Sequence, residues 1–368
     1  MSRTNSLFFL FFTAFFSFRA EAAPFFYKSA SYDAVYEENL DSKTNTVESF
    51  TIFFKPTRQI YMTISPYEDR CKADAVVYNQ RIYNGTVFPI SWEKVTEKNF
   101  EDLIKASKAV WDWDLLLAQQ NKTQTRIVLT VEQQIDEKLP DLKLADYKAM
   151  SESGKWVDIS DGSEYNRALV NSFGFVKWIA DGFYRPATGR LMNLNDLVLK
   201  HFEEAPNNNW LIKETFKRNP YFGLDWIKNI GLKLNRLSIP DATVSEIEVK
   251  SIPFYGFTET AGIHTSALPF VLYWLAAKTP SKFYLISYSS SSPWSEDRTL
   301  LEHSKTAVAF PTIDYQGLLN VAYYENGVKI PIDQIEDRIK DANIFLIGVE
   351  ISPLFHLPPV KNLSILYR

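Results

Sequence analysis

Cysteine is nearly missing from this chain: Cys71 stands alone among 368 residues. A single thiol closes no internal disulfide, so stability has to come from an apolar core. Histidine is also scarce. His201, His264, His303 and His356 are widely scattered, with no H-x-x-x-H or C-x-x-C pairing, so no metal site is expected. No cofactor is expected either. An excess of one charge is lacking as well: 40 basic residues face 44 acidic ones, for a net charge of −4. That balance gives no electrostatic case for nucleic acid or an anionic membrane. Beyond the first 22 residues, no segment reaches the ~18 uninterrupted apolar residues that a membrane helix needs. The most apolar stretch, Ala267–Ala277, has Thr265 or Ser266 to cap it and Thr279-Pro280 to stop it. It is expected as a buried helix, and no membrane span is expected once a leader has been removed.

What is present begins with that leader. Residues 1–22 carry Arg3, an apolar run from Leu7 to Phe18 and then Ala20-Glu21-Ala22. The run is too short to span a bilayer, and the small-x-small ending fits signal-peptide cleavage. An exported protein is the expectation, periplasmic or extracellular. Apolar residues make up 46% and aromatics 15% of the chain, which fits a globular protein with large core side chains. Aromatic abundance also suits sugar-binding platforms. Cys71 has cationic neighbours in Asp69-Arg70-Cys71-Lys72, but no histidine within 100 residues to serve as its base. It reads as a structural thiol.

From residue 23 to 95 the apolar period is two. Phe50, Ile52 and Phe54, then Ile60, Met62 and Ile64, alternate with other side chains, which predicts a small β-rich domain. Asn84-Gly85 is expected as one of its turns. From 96 to 368 the pattern predicts an α+β domain. Phe100, Leu103, Ile104, Ser107, Trp111 and Leu115 fall at helical spacing. Residues 126–134 are expected as a strand, with an irregular stretch following to about 160. Residues 163–181 are expected as a helix stopped by Gly182. Further helices are expected over 192–203 and 208–217, inside an insertion around 183–235. The last third returns to strands: Lys282–Tyr288, a loop at Ser289–Pro293, Thr306–Ile313, Leu318–Tyr324, a tight turn at Asn326-Gly327, a short helix over Asp333–Asp341, Asn343–Ser352 and Leu363–Tyr367. Helices followed by an antiparallel sheet make an α+β fold.

Asn171-Ser172-Phe173-Gly174-Phe175-Val176 lies within the helix expected over 163–181, and Lys305-Thr306-Ala307-Val308-Ala309-Phe310 opens a strand pattern. Together they resemble the NlpC-type bacterial cell-wall peptidases, which are papain-like. That family carries Asp-Cys-Ser-Gly-(Phe/Leu)-Val, followed later by a histidine that opens a strand. The resemblance puts Ser172 at the nucleophilic cysteine and Lys305 at the histidine, with His303 two residues away. It covers two short segments, and both catalytic residue types are replaced. It implies a papain-like scaffold with a helix N-terminus to activate the nucleophile and a base from the sheet.

Three readings of Ser172 follow: an ordinary helix residue, the relic of a nucleophile in a ligand-binding descendant, or a working serine using His303, Lys305 or His264. His264 precedes the apolar helix and can hydrogen-bond in a cleft or titrate near neutral pH; Glu259 is its candidate partner. The expected function is a non-catalytic, peptidase-like envelope protein that binds peptidoglycan or an envelope protein. The alternatives are an active amidase or peptidase at Ser172, and a secreted protein that acts on a host.

Overall fold

The structure is a computed structural model that describes residues 35–360, except 56, 99, 202–218, 259–261, 296–297 and 339–341. The expected leader over 1–22, helix over 208–217 and strand over Leu363–Tyr367 lie outside the described residues, as does Glu259. Five antiparallel strands come first, in sequential order: β1 (Val35–Leu40), β2 (Val47–Lys55), β3 (Thr57–Tyr67), β4 (Arg70–Val77) and β5 (Gln80–Phe88). Alternation turns Ile60, Met62 and Ile64 of β3 and Cys71, Ala73, Ala75 and Val77 of β4 inward. The β4–β5 turn falls on Tyr78-Asn79, both at positive φ, as a two-residue hairpin turn requires. Asn84-Gly85 is therefore not the expected turn. Ala73 pairs with Thr86 and Ala75 with Tyr83, so Asn84-Gly85 oppose Asp74 alone, as a bulge. Gly85, at φ 61, supplies the left-handed backbone, and its N–H donates to Asp74 Oδ1 at 2.5 Å.

The helical pattern from Phe100 divides into α1 (Phe100–Ser107) and α2 (Trp113–Leu116). Trp113 Nε1 donates to Ser107 Oγ at 2.9 Å, and Asp112 caps α2, which folds the chain back between them. Residues 126–134 are helical, not the expected strand, and belong to α3 (Lys122–Lys138). Asn121 caps it, and Val128, Val131 and Ile135 bury one stripe. The 3–4 spacing of these residues outweighs the local β-branched content. The stretch expected to be irregular holds β6 (Lys143–Leu144), β7 (Lys148–Met150) and β8 (Trp156–Asp158), and the first part of the helix expected over 163–181 is instead β9 (Glu164–Tyr165) and β10 (Leu169–Val170). β7, β8 and β9 form a three-stranded sheet, and β6 pairs with β10.

Next comes α4 (Ser172–Thr188), which starts later and runs further than expected. Asn171 caps its start and Gly189, at φ 72, ends it. Gly182 lies mid-helix; a Cβ there would come within 2.4 Å of the Phe355 ring. Close packing, not termination, explains that glycine. α5 (Leu194–Leu197) occupies part of the expected 192–203 helix. α6 (Phe222–Asn235) and α7 (Val244–Ile247) follow, then β11 (Ile263–His264) and α8 (Leu268–Lys278). The chain closes with β12 (Lys282–Ser295), β13 (Arg298–Ile313), β14 (Leu319–Glu325), β15 (Val328–Lys329), α9 (Ile332–Arg338) and β16 (Asn343–Glu350). The expected loop at Ser289–Pro293 is strand, paired with Leu301, Leu300 and Thr299 of β13. β16 reaches only to Ser289, so Pro293 sits on an edge, where proline is tolerated. Asn326-Gly327, both at positive φ, form the expected turn between β14 and β15.

The order β11-β16-β12-β13-β14-β15 makes a six-stranded sheet with apolar side chains on both faces. Phe283, Leu285, Val308, Phe310, Phe345 and Ile347 face α3, α4 and α6. Tyr284, Ile286, Ala307, Ala309, Ile344 and Leu346 share one core with α8, α1, α2 and the N-terminal sheet. The fold is α+β. Among the described residues, no helix is long and apolar enough to cross a membrane.

Candidate functional site

Asn171 adopts extended backbone and its Oδ1 accepts from Gly174 N at 3.0 Å, which fixes Ser172 as the first residue of α4. Gly174 is required there: a Cβ would lie 1.9 Å from the Lys148 carbonyl oxygen of β7. Phe173 O accepts from Trp226 Nε1 at 2.9 Å, which ties the helix start to α6. Ser172 itself is 7% exposed. Among the described residues, no hydrogen bond joins its hydroxyl to His264, His303 or Lys305.

His303 is 1% exposed on β13. Its Nδ1 pairs with Ser287 Oγ at 3.1 Å, while Nε2 has no partner among the described residues. The rings of Tyr221 and Phe345 lie 5.9 Å and 5.2 Å away. Burial, aided by the Lys228 charge, pushes the imidazole down to about 3, so it is neutral at pH 7. The His303 carbonyl and the Phe173 ring both border Gly223, where a Cβ would meet them at 2.3 Å and 3.2 Å. The first turn of α6 thus packs against both the start of α4 and His303.

Lys305 is exposed. Two residues apart, it and His303 do not share a face, because the β12–β13 register shifts between Tyr288 and Ser290, and that irregularity breaks the alternation. His264 is exposed too, at the other end of the sheet order on β11. Its Nδ1 meets Ser266 Oγ at 2.8 Å and accepts from Ser266 N, which caps the turn leading into α8. Cys71 is buried and its Sγ donates to Ile90 O. Desolvation raises its thiol to about 11, the opposite of what a nucleophile needs. Among the described residues, no group of three or more His, Cys, Asp or Glu is placed to hold a metal.

A cleft of about 690 Å³ opens between β8, the loop after it, α5 and the start of α6. Ser151, Asp158, Ser160, Asn195, Asn219 and Phe222 are among its walls. Phe222 packs edge-on against Phe173 at 4.8 Å, so this cleft adjoins the start of α4. Asp158 holds Lys148 at 2.5 Å. Burial favours its neutral form, but hydrogen bonds from Lys148 and Ser160 prevail and keep the carboxyl below its ordinary value. Two sets of buried polar groups, the first bonded to the cleft residue Asn219, were missed by sequence reasoning. Asp225 accepts from His201 N and Asn219 Nδ2. Lys177 and Asp181 form a fully buried pair at 2.6 Å, with Asp181 Oδ1 accepting from Met192 N. The i,i+4 spacing of Lys177 and Asp181 was the available signal.

A family model described as "Domain of unknown function (DUF8515)" matches residues 40–115. The match takes in most of the N-terminal sheet, α1 and the start of α2. No curated protein matches the chain, and no solved structure does.

Proposed function

We propose that this chain is an exported, non-catalytic module of peptidase-like descent that binds cell-envelope material, with the peptide part of peptidoglycan as its ligand class. The observation that carries this reading is at the start of α4. A serine stands where the resemblance puts a nucleophile, at the start of a helix whose Phe173 packs against the cleft residue Phe222, yet among the described residues no base is hydrogen-bonded to its hydroxyl. Of the candidate bases, His303 is held neutral in the core and bonded to Ser287. A serine hydroxyl needs a positioned base to attack an amide. The cleft suits a peptide instead: its serine, asparagine and carboxylate groups supply hydrogen bonds, and Phe222, Leu194 and Val198 supply apolar surface.

The test uses purified protein, muropeptides and a fluorophosphonate probe. Saturable muropeptide binding without cleavage or labelling is expected, with Asn195→Trp, which fills the cleft, weakening it at least tenfold. Peptide release or labelling that Ser172→Ala abolishes would replace this reading with an active amidase. Absence of binding would remove the peptidoglycan ligand.

A further inference from the structure

After β16 the chain runs back over α4, and from Pro353 to Val360 it belongs to no helix or strand. Pro353, Pro358 and Pro359 hold it extended: each fixes its own φ and keeps the residue before it out of helical backbone. The segment is nevertheless seated firmly. Phe355, Leu357 and Val360 are buried, while Pro353, Leu354 and His356 are exposed.

The seat is cut into α4 by two residues that helix interiors disfavour. Gly182 leaves room for the Phe355 ring, which a Cβ would meet at 2.4 Å, and that ring rests on Phe183 with centroids 4.5 Å apart. Pro186, four residues further along the helix, has no N–H to give the Gly182 carbonyl. His356 N donates to that carbonyl instead, at 2.9 Å. Among the described residues, this is the segment's only backbone–backbone hydrogen bond, so the segment can leave without opening a ladder. Side chains make the other bonds. Gln134 of α3 donates to Phe355 O at 3.1 Å, Trp178 of α4 to Pro358 O at 3.2 Å and Trp156 of β8 to Val360 O at 2.9 Å. An aromatic-lined groove that reads the carbonyls of a chain already extended by proline is the arrangement by which proline-rich peptides are recognised.

We propose that α4, α3 and β8 form a recognition groove for an extended, proline-containing peptide with one aromatic anchor, and that residues 353–360 are the ligand the chain carries for it. The proposal uses neither Ser172 nor the cleft. A tethered ligand competes at an effective concentration on the order of millimolar, so the groove stays filled in the unaltered chain and admits a second peptide once the anchor is lost.

The test uses the full chain and a fluorescent synthetic peptide of residues 352–360, followed by anisotropy. Phe355→Ser in the chain removes the tethered anchor and leaves the groove. This variant should bind the peptide saturably and at least tenfold more tightly than the unaltered chain does. Adding Gln134→Ala should weaken that binding at least threefold, and a peptide that itself carries Phe355→Ser should not bind. In the unaltered chain, the His356 amide should exchange its hydrogen at least tenfold faster than the Leu285 amide of β12, read by NMR, because the segment opens on its own. Equal exchange rates would overturn the proposal and make the segment ordinary core, whether or not Phe355→Ser folds. So would a folded Phe355→Ser chain that ignores the peptide, that binds the Phe355→Ser peptide equally well, or whose binding Gln134→Ala leaves unchanged.

Discussion

Replacing His303 with glutamine measures what it takes to keep an imidazole in this core. The folded protein holds His303 at about 3 against an ordinary 6.5, because protonation would put an unsolvated cation between Tyr221 and Phe345 with Lys228 nearby. The folded pKa is depressed, so the unfolded chain binds the proton first. Stability is full above pH 6.5 and falls toward pH 3 by about 1.4 kcal/mol per pH unit. From pH 7 to pH 5 the loss from this residue is about 2 kcal/mol. Asp181 and Asp225 act in the opposite sense, because burial raises both carboxyls. A single pH profile would therefore mix the effects. Urea unfolding of the unaltered chain and of His303→Gln, each at pH 7 and pH 5, isolates one group. Glutamine keeps an acceptor for Ser287 and does not titrate. The unaltered chain should lose about 2 kcal/mol more than the variant over that interval. Equal losses would refute the reasoning and mean that the folded imidazole takes up its proton freely.

Gly174→Ala would drive a methyl group to 1.9 Å from the Lys148 carbonyl and should cost about 3 kcal/mol or more, read as a lowered melting temperature; Gly256→Ala, with nothing within 4 Å, is the neutral control. Lys177→Met leaves Asp181 without its partner in the core and should cost about 3–5 kcal/mol, whereas Lys177→Met with Asp181→Leu should recover most of that in the same unfolding assay. Cys71, buried with its thiol raised to about 11, should resist iodoacetamide at pH 8 in the folded protein and react fully in urea, as followed by mass spectrometry.

What the sequence revealed was whatever rests on period and local turn chemistry. The alternation of Ile60, Met62 and Ile64 gave β3, the apolar run gave α8 although Ala267 rather than Thr265 or Ser266 stands at its cap, and Asn326-Gly327 gave a turn. Misreadings arose where two local signals competed or where a distant contact decided the outcome. Tyr78-Asn79 took the turn that Asn84-Gly85 advertised, because left-handed asparagine and tyrosine closed the hairpin first. Gly182 looked like a stop, since its real partner, Phe355, lies 173 positions away. At the site, the helix start at Ser172 was missed, because the pattern read from 163 ran past the cap at Asn171. The burial of His303 was missed too, because the bulge that turns Lys305 out and leaves His303 inside belongs to the pairing of β12 with β13 and leaves no local mark.

The same distinction bears on the motif that suggested peptidase descent. Asn171 is accounted for by its bond to Gly174 N, and Gly174 by the Lys148 carbonyl against it. Phe175 and Val176 are core residues under the sheet. Each of these letters would be chosen by packing alone at the start of any helix pressed against β7, so their agreement with the family pattern adds little to a case for kinship. Ser172 differs: it is nearly buried, caps nothing, and bonds to none of the three candidate bases. At a buried helix position alanine would serve packing and helix propensity better than a serine does. Whatever weight the kinship carries therefore rests on that one oxygen, and an affinity for muropeptides that Ser172→Ala alters without any turnover is the observation that would connect it to the cleft.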